Sequence, residues 1–464
     1  MAGFDDTPDL DGLRAPWSRS TRTLPRRVLQ PLQTFLAEEA SSGLLLLAAT
    51  LVALAWVNSP WGETYQRFWH VELGVRLGDW RIVEDLRHWV NDGLMTLFFL
   101  VVGLEIKREF TTGELRDPRA AALPVIAAVG GMVVPALLYV ALNVGGEGAG
   151  GWGIPMATDI AFALGVLTLA ARHAPAGLKP FLLTLAIVDD IGAILVIAIF
   201  YSTGISWSAL GVAGALLAAI VALQRIHVRA TPVYLVLGAG VWLAVLQSGV
   251  HPTIAGVVLG VLTPSMPFQR PRAVSEEAHR TADGTVDDPS PPDADSPQWL
   301  RLAELSREAV SPLARVEAAL HPWTSALIVP LFALANAGVV LSVDAGRAAA
   351  ASPVALGIVV GLVVGKVVGI TLASLSAVRL GGLPLPAGVG TRQLVGVAAV
   401  AGIGFTVSLF VTDLAFGDPA LADTAKIGIL AASVLAGALG FALLRPMGAS
   451  RGEVAEDART DRGE

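Results

Sequence analysis

The stretch Phe181–Phe200 reads FLLTLAIVDDIGAILVIAIF, an apolar run interrupted at its middle by two adjacent carboxylates, Asp189 and Asp190. About 20 apolar residues let a helix cross roughly 30 Å of hydrocarbon. The two carboxylates then stand near the midplane, where even the lenient insertion scale assigns each a cost of about 2.5 to 3.5 kcal/mol. Packing does not offset such a cost, so the pair marks a functional site. Successive helical residues are turned by roughly 100°, so the two side chains point apart and serve different partners. Two other apolar runs each carry a single charge and supply candidates: Asp159 in PMATDIAFALG and Lys366 in GLVVGKVVGI.

The rest of the chain supports a membrane reading. Of its 464 residues 54% are hydrophobic and 15% charged, and the apolar residues gather in long runs, which excludes an ordinary soluble domain. The net charge of -7 says little about partners, because the charges fall mostly in loops and tails. With no cysteine, disulfides, thiolate catalysis and thiolate metal sites are excluded; the 7 histidines form no HExxH pair. The first forty or so residues are polar and basic, without the apolar core of a cleavable signal peptide.

Taken in order, residues 1–31 read as a disordered basic tail, Gln33–Ser41 as a surface helix, 32–446 as the membrane domain and 447–464 as a disordered C-terminal tail. Spans are expected near Gly43–Val57, Val90–Ile106, Ala120–Leu142, Ile154–Ala171, Pro180–Tyr201, Ala209–Leu223, Val233–Leu246, Thr253–Leu262, Ser325–Leu341, Val354–Val378, Leu394–Leu414 and Lys426–Leu444. Between the first two, VELGVRLGDWRIV (Val71–Val83) alternates apolar and polar residues around Gly78 and Asp79, the pattern of a β-hairpin outside the bilayer. Pro264–Pro312, rich in Pro, Asp, Ser, Glu and Arg, reads as a disordered polar loop without a transport role, helical in its second half at Trp299–Glu308. Positive charge collects in alternate loops, with Lys107, Arg108, Arg116, Arg119, Lys179, Arg225 and Arg379 on one side, which predicts about twelve crossings with both termini cytoplasmic.

Two spans are interrupted. Pro155 to Asp159 combines a proline with polar groups, and Ala401 to Thr406 places Gly402, Gly404 and a hydroxyl at mid-membrane. Unwound backbone is tolerated there only where it is buried or lines a cavity, and one such interruption in each half of a chain points to a transporter binding site. Gly357, Gly361, Gly365 and Gly369 recur every four residues, a stripe that lets helix backbones approach closely. Lys366 adjoins that stripe, so its ammonium faces protein.

These motifs resemble one family. VGLEIKRE (Val102–Glu109), PVIAAVGGMVVPALLY (Pro124–Tyr139), ATDIAFALG (Ala157–Gly165), LAIVDDIGAI (Leu185–Ile194), SGVHPTIAGV (Ser248–Val257), LHPW (Leu320–Trp323), LFALANAGV (Leu331–Val339) and GIGFTVSLF (Gly402–Phe410) occur in the order found in the bacterial NhaA Na⁺/H⁺ antiporters. The resemblance runs from about Ser41 to Leu444. It implies an all-α polytopic membrane protein with two inverted three-helix repeats, Ala120–Tyr201 and Val354–Leu444, whose broken helices cross at the midplane; the family is itself a standard example of that architecture. It further implies that Asp190 is the principal Na⁺ and proton carboxylate, Asp189 its partner and Lys366 the lysine paired with Asp189, with Asp159 and Thr158 at the first break. A pH-response region follows at Glu105, Arg108, Glu109 and Glu317, and His251 falls at another position linked to pH. Where the family pattern has Lys-Arg just before that glutamate, this chain has Ala314 and Arg315. The implied activity is electrogenic, pH-dependent exchange of Na⁺ or Li⁺ for H⁺ across the inner membrane by a homodimer joined through the hairpin, with no cofactor, no enzymatic step and no nucleic-acid partner.

The chemistry agrees with that implication. A buried carboxylate holds either a proton or a hard cation that wants oxygen ligands, and mutually exclusive occupancy of one site is itself a coupling mechanism. Crossed broken helices also bring like helix ends together, so an anion at the amino ends and a cation at the carboxyl ends, the roles open to Asp159 and Lys366, offset the end charges. An intramembrane aspartyl protease also needs two membrane aspartates, but Asp189 follows Ile187 and Val188, so the GxGD context of that class is absent. A sodium-coupled solute symporter asks for a roomier polar cavity, and a channel is disfavoured by a lysine at the core.

Overall fold

The computed structural model describes residues 39–77, 80–170, 175–202, 204–286 and 296–445. The two tails, most of the surface helix expected at Gln33–Ser41 and the hairpin turn at Gly78 and Asp79 lie outside these residues. The described chain is mostly helical, with one small two-stranded sheet. In order it forms α1 (Glu39–Val57), α2 (Gly62–Trp69), strands β1 (Glu72–Leu77) and β2 (Trp80–Asp85), α3 (Met95–Thr111), α4 (Pro118–Asn143), α5 (Ile160–Ala170) and α6 (Leu178–Phe200). Then come α7 (Trp207–Arg225), α8 (Thr231–Leu246), α9 (Thr253–Leu262), α10 (Pro271–Val286), α11 (Ser296–Glu308), α12 (Pro312–Trp323), α13 (Val329–Asn336) and α14 (Val343–Ala351). The last elements are α15 (Pro353–Val359), α16 (Lys366–Gly381), α17 (Thr391–Val400), α18 (Phe405–Ala415) and α19 (Pro419–Leu444).

Among the described residues 7 helical runs suffice by length and composition to cross a membrane, or up to 10 if each bent pair counts as one span. Two of the expected twelve, Thr231–Leu246 and Thr253–Leu262, are apolar but short. Two bent pairs are the interrupted spans. The 3-10 segment Glu147–Met156 meets α5 at 49°, with Ala157 to Asp159 unwound between them, and α17 meets α18 at 48° across Ala401 to Gly404. Proline at 155 lacks the donor a helix needs, and glycines at 402 and 404 weaken helix there, so each break forms where its sequence resists the ladder.

The β-hairpin pairs Glu72 with Asp85 through Leu77 with Trp80, antiparallel. The polar interval before it also contains α2. Pro264–Pro312 departs from its expected disorder in its first half, while its second half is helical as expected at Trp299–Glu308. It carries the helices α10 and α11, the first over a stretch whose Glu, Ala and Arg residues favour helix but whose polarity resembles that of loops. Glu308 ties the base of this hairpin down, accepting from Arg229 Nη1 at 2.6 Å and from Gln269 Nε2 at 3.1 Å.

Burial concentrates around the broken spans, where Val397, Val400, Phe405, Leu409 and Phe410 are nearly or wholly inaccessible. By contrast α7 and α8 expose Leu235, Val236 and Val212, apolar surface suited to lipid. The glycine stripe lies against α4. A Cβ at Gly369 would stand 2.2 Å from the Gly130 carbonyl oxygen, so the two backbones touch only because neither residue has a side chain. That contact brings α16, and Lys366 at its start, against the bundle interior.

Candidate functional site

Each break exposes backbone groups that helices would satisfy, and polar side chains from the opposite break supply partners. Asp159, just before α5, accepts from Phe162 N at 3.1 Å through Oδ1. Through Oδ2 it accepts from Thr406 N at 3.1 Å and Thr406 Oγ1 at 2.7 Å. One carboxylate thus caps the amino ends of α5 and α18 together, where the helix dipoles favour negative charge. The backbone adds a crossing bond, Asp159 N to Ile403 O at 2.6 Å, and Ser408 Oγ donates to Ile154 O at 2.8 Å at the carboxyl end of the 3-10 segment. Gly402 and Gly404 sit where the unwound segments pass: Cβ atoms there would meet Leu362 O at 2.4 Å and Ser408 Oγ at 2.3 Å.

Lys366 enters from the side, directly after a π turn at Val360–Gly365. Such turns re-aim side chains and recur at functional sites. The side chain is fully buried, its Nζ 2.5 Å from Asp189 Oδ2 on α6. It also donates to Thr158 Oγ1 at 3.1 Å, which lies 2.7 Å from the same Asp189 oxygen and 2.8 Å from Ala401 O. The hydroxyl has one proton for two acceptors, so it links the lysine pair to the carboxyl end of α17.

Asp190, the next residue on α6, points elsewhere. It is 6% exposed, and its Oδ1, like Asp189 Oδ1, is a buried oxygen without a hydrogen-bond partner among the described residues. Buried carboxylate oxygens rarely stay unsatisfied, so two adjacent ones are sites for a proton or a cation. The charges that act on Asp190 are Asp189, Glu105, Asp159 and Lys366. Among the described residues no group of three or more His, Asp or Glu forms a metal-type cluster. A cation here would use carboxylate, hydroxyl and carbonyl oxygens, ligands that suit a hard ion.

Glu105, Arg108, Glu109 and Glu317 gather at one end of the bundle. Arg108 forms an ion pair with Glu317 of α12, and both line a cavity of about 500 Å³ with Thr111, Ser265, Ser311 and His321. None of Asp159, Asp189 and Asp190 lines it. Glu109 accepts from Glu114 N at 3.0 Å on the rim of a neighbouring cavity. Glu105, one turn deeper on α3, lies in electrostatic range of Arg108, Glu317 and Asp190, linking this end to the carboxylates. His251 is not part of that group. Before α9, its Nε2 lies 3.7 Å from Asp92 Oδ1, and its ring packs edge-on against Phe410, 5.2 Å between centroids.

Sequence reading missed Thr406 as the partner of Asp159, although its hydroxyl in the second break was a visible signal. It also missed Asn91, Asn336, Asp413 and Lys426, which form a second polar group in which Asn336 and Lys426 are buried and Asn91 and Asp413 partly exposed.

A family model described as Na⁺/H⁺ antiporter 1 matches residues 33–444. The chain is 47% identical to "Na(+)/H(+) antiporter NhaA 2" of Sorangium cellulosum, over 94% of each protein. It is 46% identical to "Na(+)/H(+) antiporter NhaA" of Oleidesulfovibrio alaskensis, over 90% of this chain and 94% of that one, and 45% identical to "Na(+)/H(+) antiporter NhaA" of Rhizobium meliloti, over 92% and 97%.

Proposed function

The chain belongs to the Na⁺/H⁺ antiporter 1 family, and we propose that it exchanges Na⁺ for protons by letting both compete for the Asp189–Asp190 pair. It is a transporter, without a covalent step. The observation that carries the mechanism is the orphaned oxygen on each of two adjacent buried carboxylates. In the proton-loaded form Asp190 is protonated and Asp189 is held by the Lys366 ammonium. Na⁺ entry places one cation between the two carboxylates, expels the Asp190 proton and displaces Lys366 from Asp189. Thr158 then has its hydroxyl free of the ammonium and supplies a further oxygen. Release on the other face reverses these steps.

The finer expectations belong to the same proposal. Twelve crossings follow if the bent pairs and the two short apolar helices all span, and the paired breaks fit inverted repeats whose halves cross at Asp159 and Thr406. The Asp190 proton alone exchanges one for one with Na⁺, and exchange is electrogenic when the Lys366 ammonium displaced from Asp189 also gives up its proton, so that two protons move per Na⁺. Li⁺, a hard monovalent cation, fits the same oxygens. The Arg108–Glu317 pair with Glu105 and Glu109 forms the pH-responsive cytoplasmic mouth in an inner membrane with both termini cytoplasmic, and β1 and β2 join two copies into a homodimer.

The test is Na⁺-driven dissipation of a pH gradient in proteoliposomes, from neutral to alkaline pH, comparing wild type with Asp190→Asn. Wild type exchanges and the folded variant does not. Full exchange by the variant refutes the shared-carboxylate mechanism.

A further inference from the structure

Far from the Arg108 cavity, a second ion pair lies within the apolar helices, and the mechanism above does not use it. Lys426 of α19, its side chain 7% exposed, places Nζ 3.2 Å from Asp413 Oδ1 on α18. The other oxygen, Oδ2, accepts from Asn91 Nδ2 at 3.2 Å. Asn91 is held in turn by Asn336, whose Nδ2 donates to Asn91 Oδ1 at 2.7 Å. Asn91 stands in a π turn, Trp89–Leu94, that opens the span ending at Thr111. It precedes Arg108 by 17 positions, so at 1.5 Å per residue the group lies about 25 Å from the cavity end. Asp413 follows Thr406 by seven positions on one helix, roughly 10 Å beyond the Asp159 cap.

Stability does not explain this arrangement. An exposed ion pair contributes about 0 to 1 kcal/mol and a buried one no more than well-packed apolar side chains of the same volume, so a pair between these limits adds little. An ionisable residue inside a membrane protein is functional by default. The group repeats the logic of Lys366 and Asp189: an ammonium on a long helix occupies a carboxylate beside a broken span, and a π turn sets one member of the network. An ammonium is a tethered monovalent cation, and Na⁺ is a free one competing for the same oxygens. Asp413, 22% exposed in its side chain, reaches the edge of the bundle while its lysine stays shielded.

We propose that Asp413 is the carboxylate through which Na⁺ passes on the side of the bundle opposite the Arg108 cavity, with Lys426 occupying it between passages. The inference rests on the antiport reading. Removing Asp413 weakens Na⁺ binding from that side alone. Removing Lys426 takes away the ammonium and leaves Asp413 the Asn91 amide as its hydrogen-bond donor, so Na⁺ from that side binds more tightly and leaves more slowly.

The experiment records Na⁺-jump currents on each face of oriented proteoliposomes for wild type, Asp190→Asn, Asp413→Asn and Lys426→Gln. Asp413→Asn raises the apparent KM for Na⁺ on the far face by about tenfold, the order of one charged contact, and leaves the Arg108 face unchanged. Lys426→Gln lowers the far-face KM and slows turnover. Equal shifts on both faces identify a merely structural pair and overturn the proposal, as does no shift on either. The double variant Asp413→Asn with Lys426→Met removes both members of the pair together and keeps the test available if a single variant fails to fold; it too must raise the far-face KM selectively. Currents surviving in Asp190→Asn overturn the shared-carboxylate reading instead, whatever Asp413 does.

Discussion

Replacing Lys366 with methionine tests whether the buried pair is an ion pair or only a packing contact. Methionine nearly fills the lysine volume but offers no charge and no donor. Asp189 Oδ2 then keeps only the Thr158 hydroxyl at 2.7 Å, while Oδ1 has no partner among the described residues. Leaving one member of a buried pair uncompensated costs about 3 to 5 kcal/mol. Converting Asp189 to asparagine in the same protein removes the uncompensated charge, so the double variant is more stable than Lys366→Met alone; the coupling read from a double-mutant cycle is about 2 to 3 kcal/mol. Melting midpoints of purified protein at fixed pH measure both. Na⁺ supplies an independent readout. In Lys366→Met, Asp189 is a vacant cation acceptor, so Na⁺ raises the midpoint more than in wild type, by up to about 2.7 kcal/mol at a hundredfold excess over Kd. A Lys366→Met protein as stable as wild type, or one that Na⁺ does not stabilise, refutes the reasoning.

Thr406→Val keeps the side-chain shape but removes the 2.7 Å donor to Asp159; a loss of about 1.5 to 3 kcal/mol is expected by melting, the range for a hydrogen bond to a charged group. Gly369→Ala drives a Cβ into the Gly130 carbonyl, and yield and melting midpoint fall, by about 1 to 3 kcal/mol. Burial raises the Glu308 carboxyl, but hydrogen bonds from Arg229 and Gln269 and the charges of Arg229 and Arg315 outweigh it and hold it below the usual range. Its clasp is therefore complete above the unfolded value of about 4.3 and is lost as pH falls through the lower folded value. Amide exchange in Ser296–Glu308 increases at acid pH, and Arg229→Ala removes that transition; an unchanged acid step in Arg229→Ala counts against the clasp. Deleting Thr281–Pro297 spares Phe268, Gln269 and Glu308, so exchange persists in the folded deletion protein; its loss shows that the hairpin contributes to transport.

What sequence could reveal depended on how each group was embedded. Asp189, Asp190, Asp159 and Lys366 stood out as single charges or a single pair in long apolar runs, and both breaks followed from Pro155 and from Gly402 and Gly404. Asp413 is likewise the only charge in Leu394–Leu414, but the nearby glycines drew attention to the break. Lys426 sat at the start of a span and resembled an interface charge. Asn91 and Asn336 are uncharged, and only three-dimensional proximity across the chain joins them to Asp413. The helix Pro271–Val286 was hidden by its polar composition, while the separation of His251 from Glu317 required the path of each helix. His251 meets Asp92, near the start of the same span that carries Arg108 at its far end.

The double cap at Asp159 has a mechanical meaning. A single carboxylate caps two half-helices that belong to opposite halves of the chain, and the directional bonds at the crossing gather within a few residues of it. Two rods joined in this way can swing about the joint while their outer lengths slide. Residues close to the pivot, Thr158 and Ala401 among them, then travel least, while Asp413, farther out on its arm, travels most. A small rotation at the crossing thereby becomes a large displacement at the rim, with the ion-holding oxygens kept almost still.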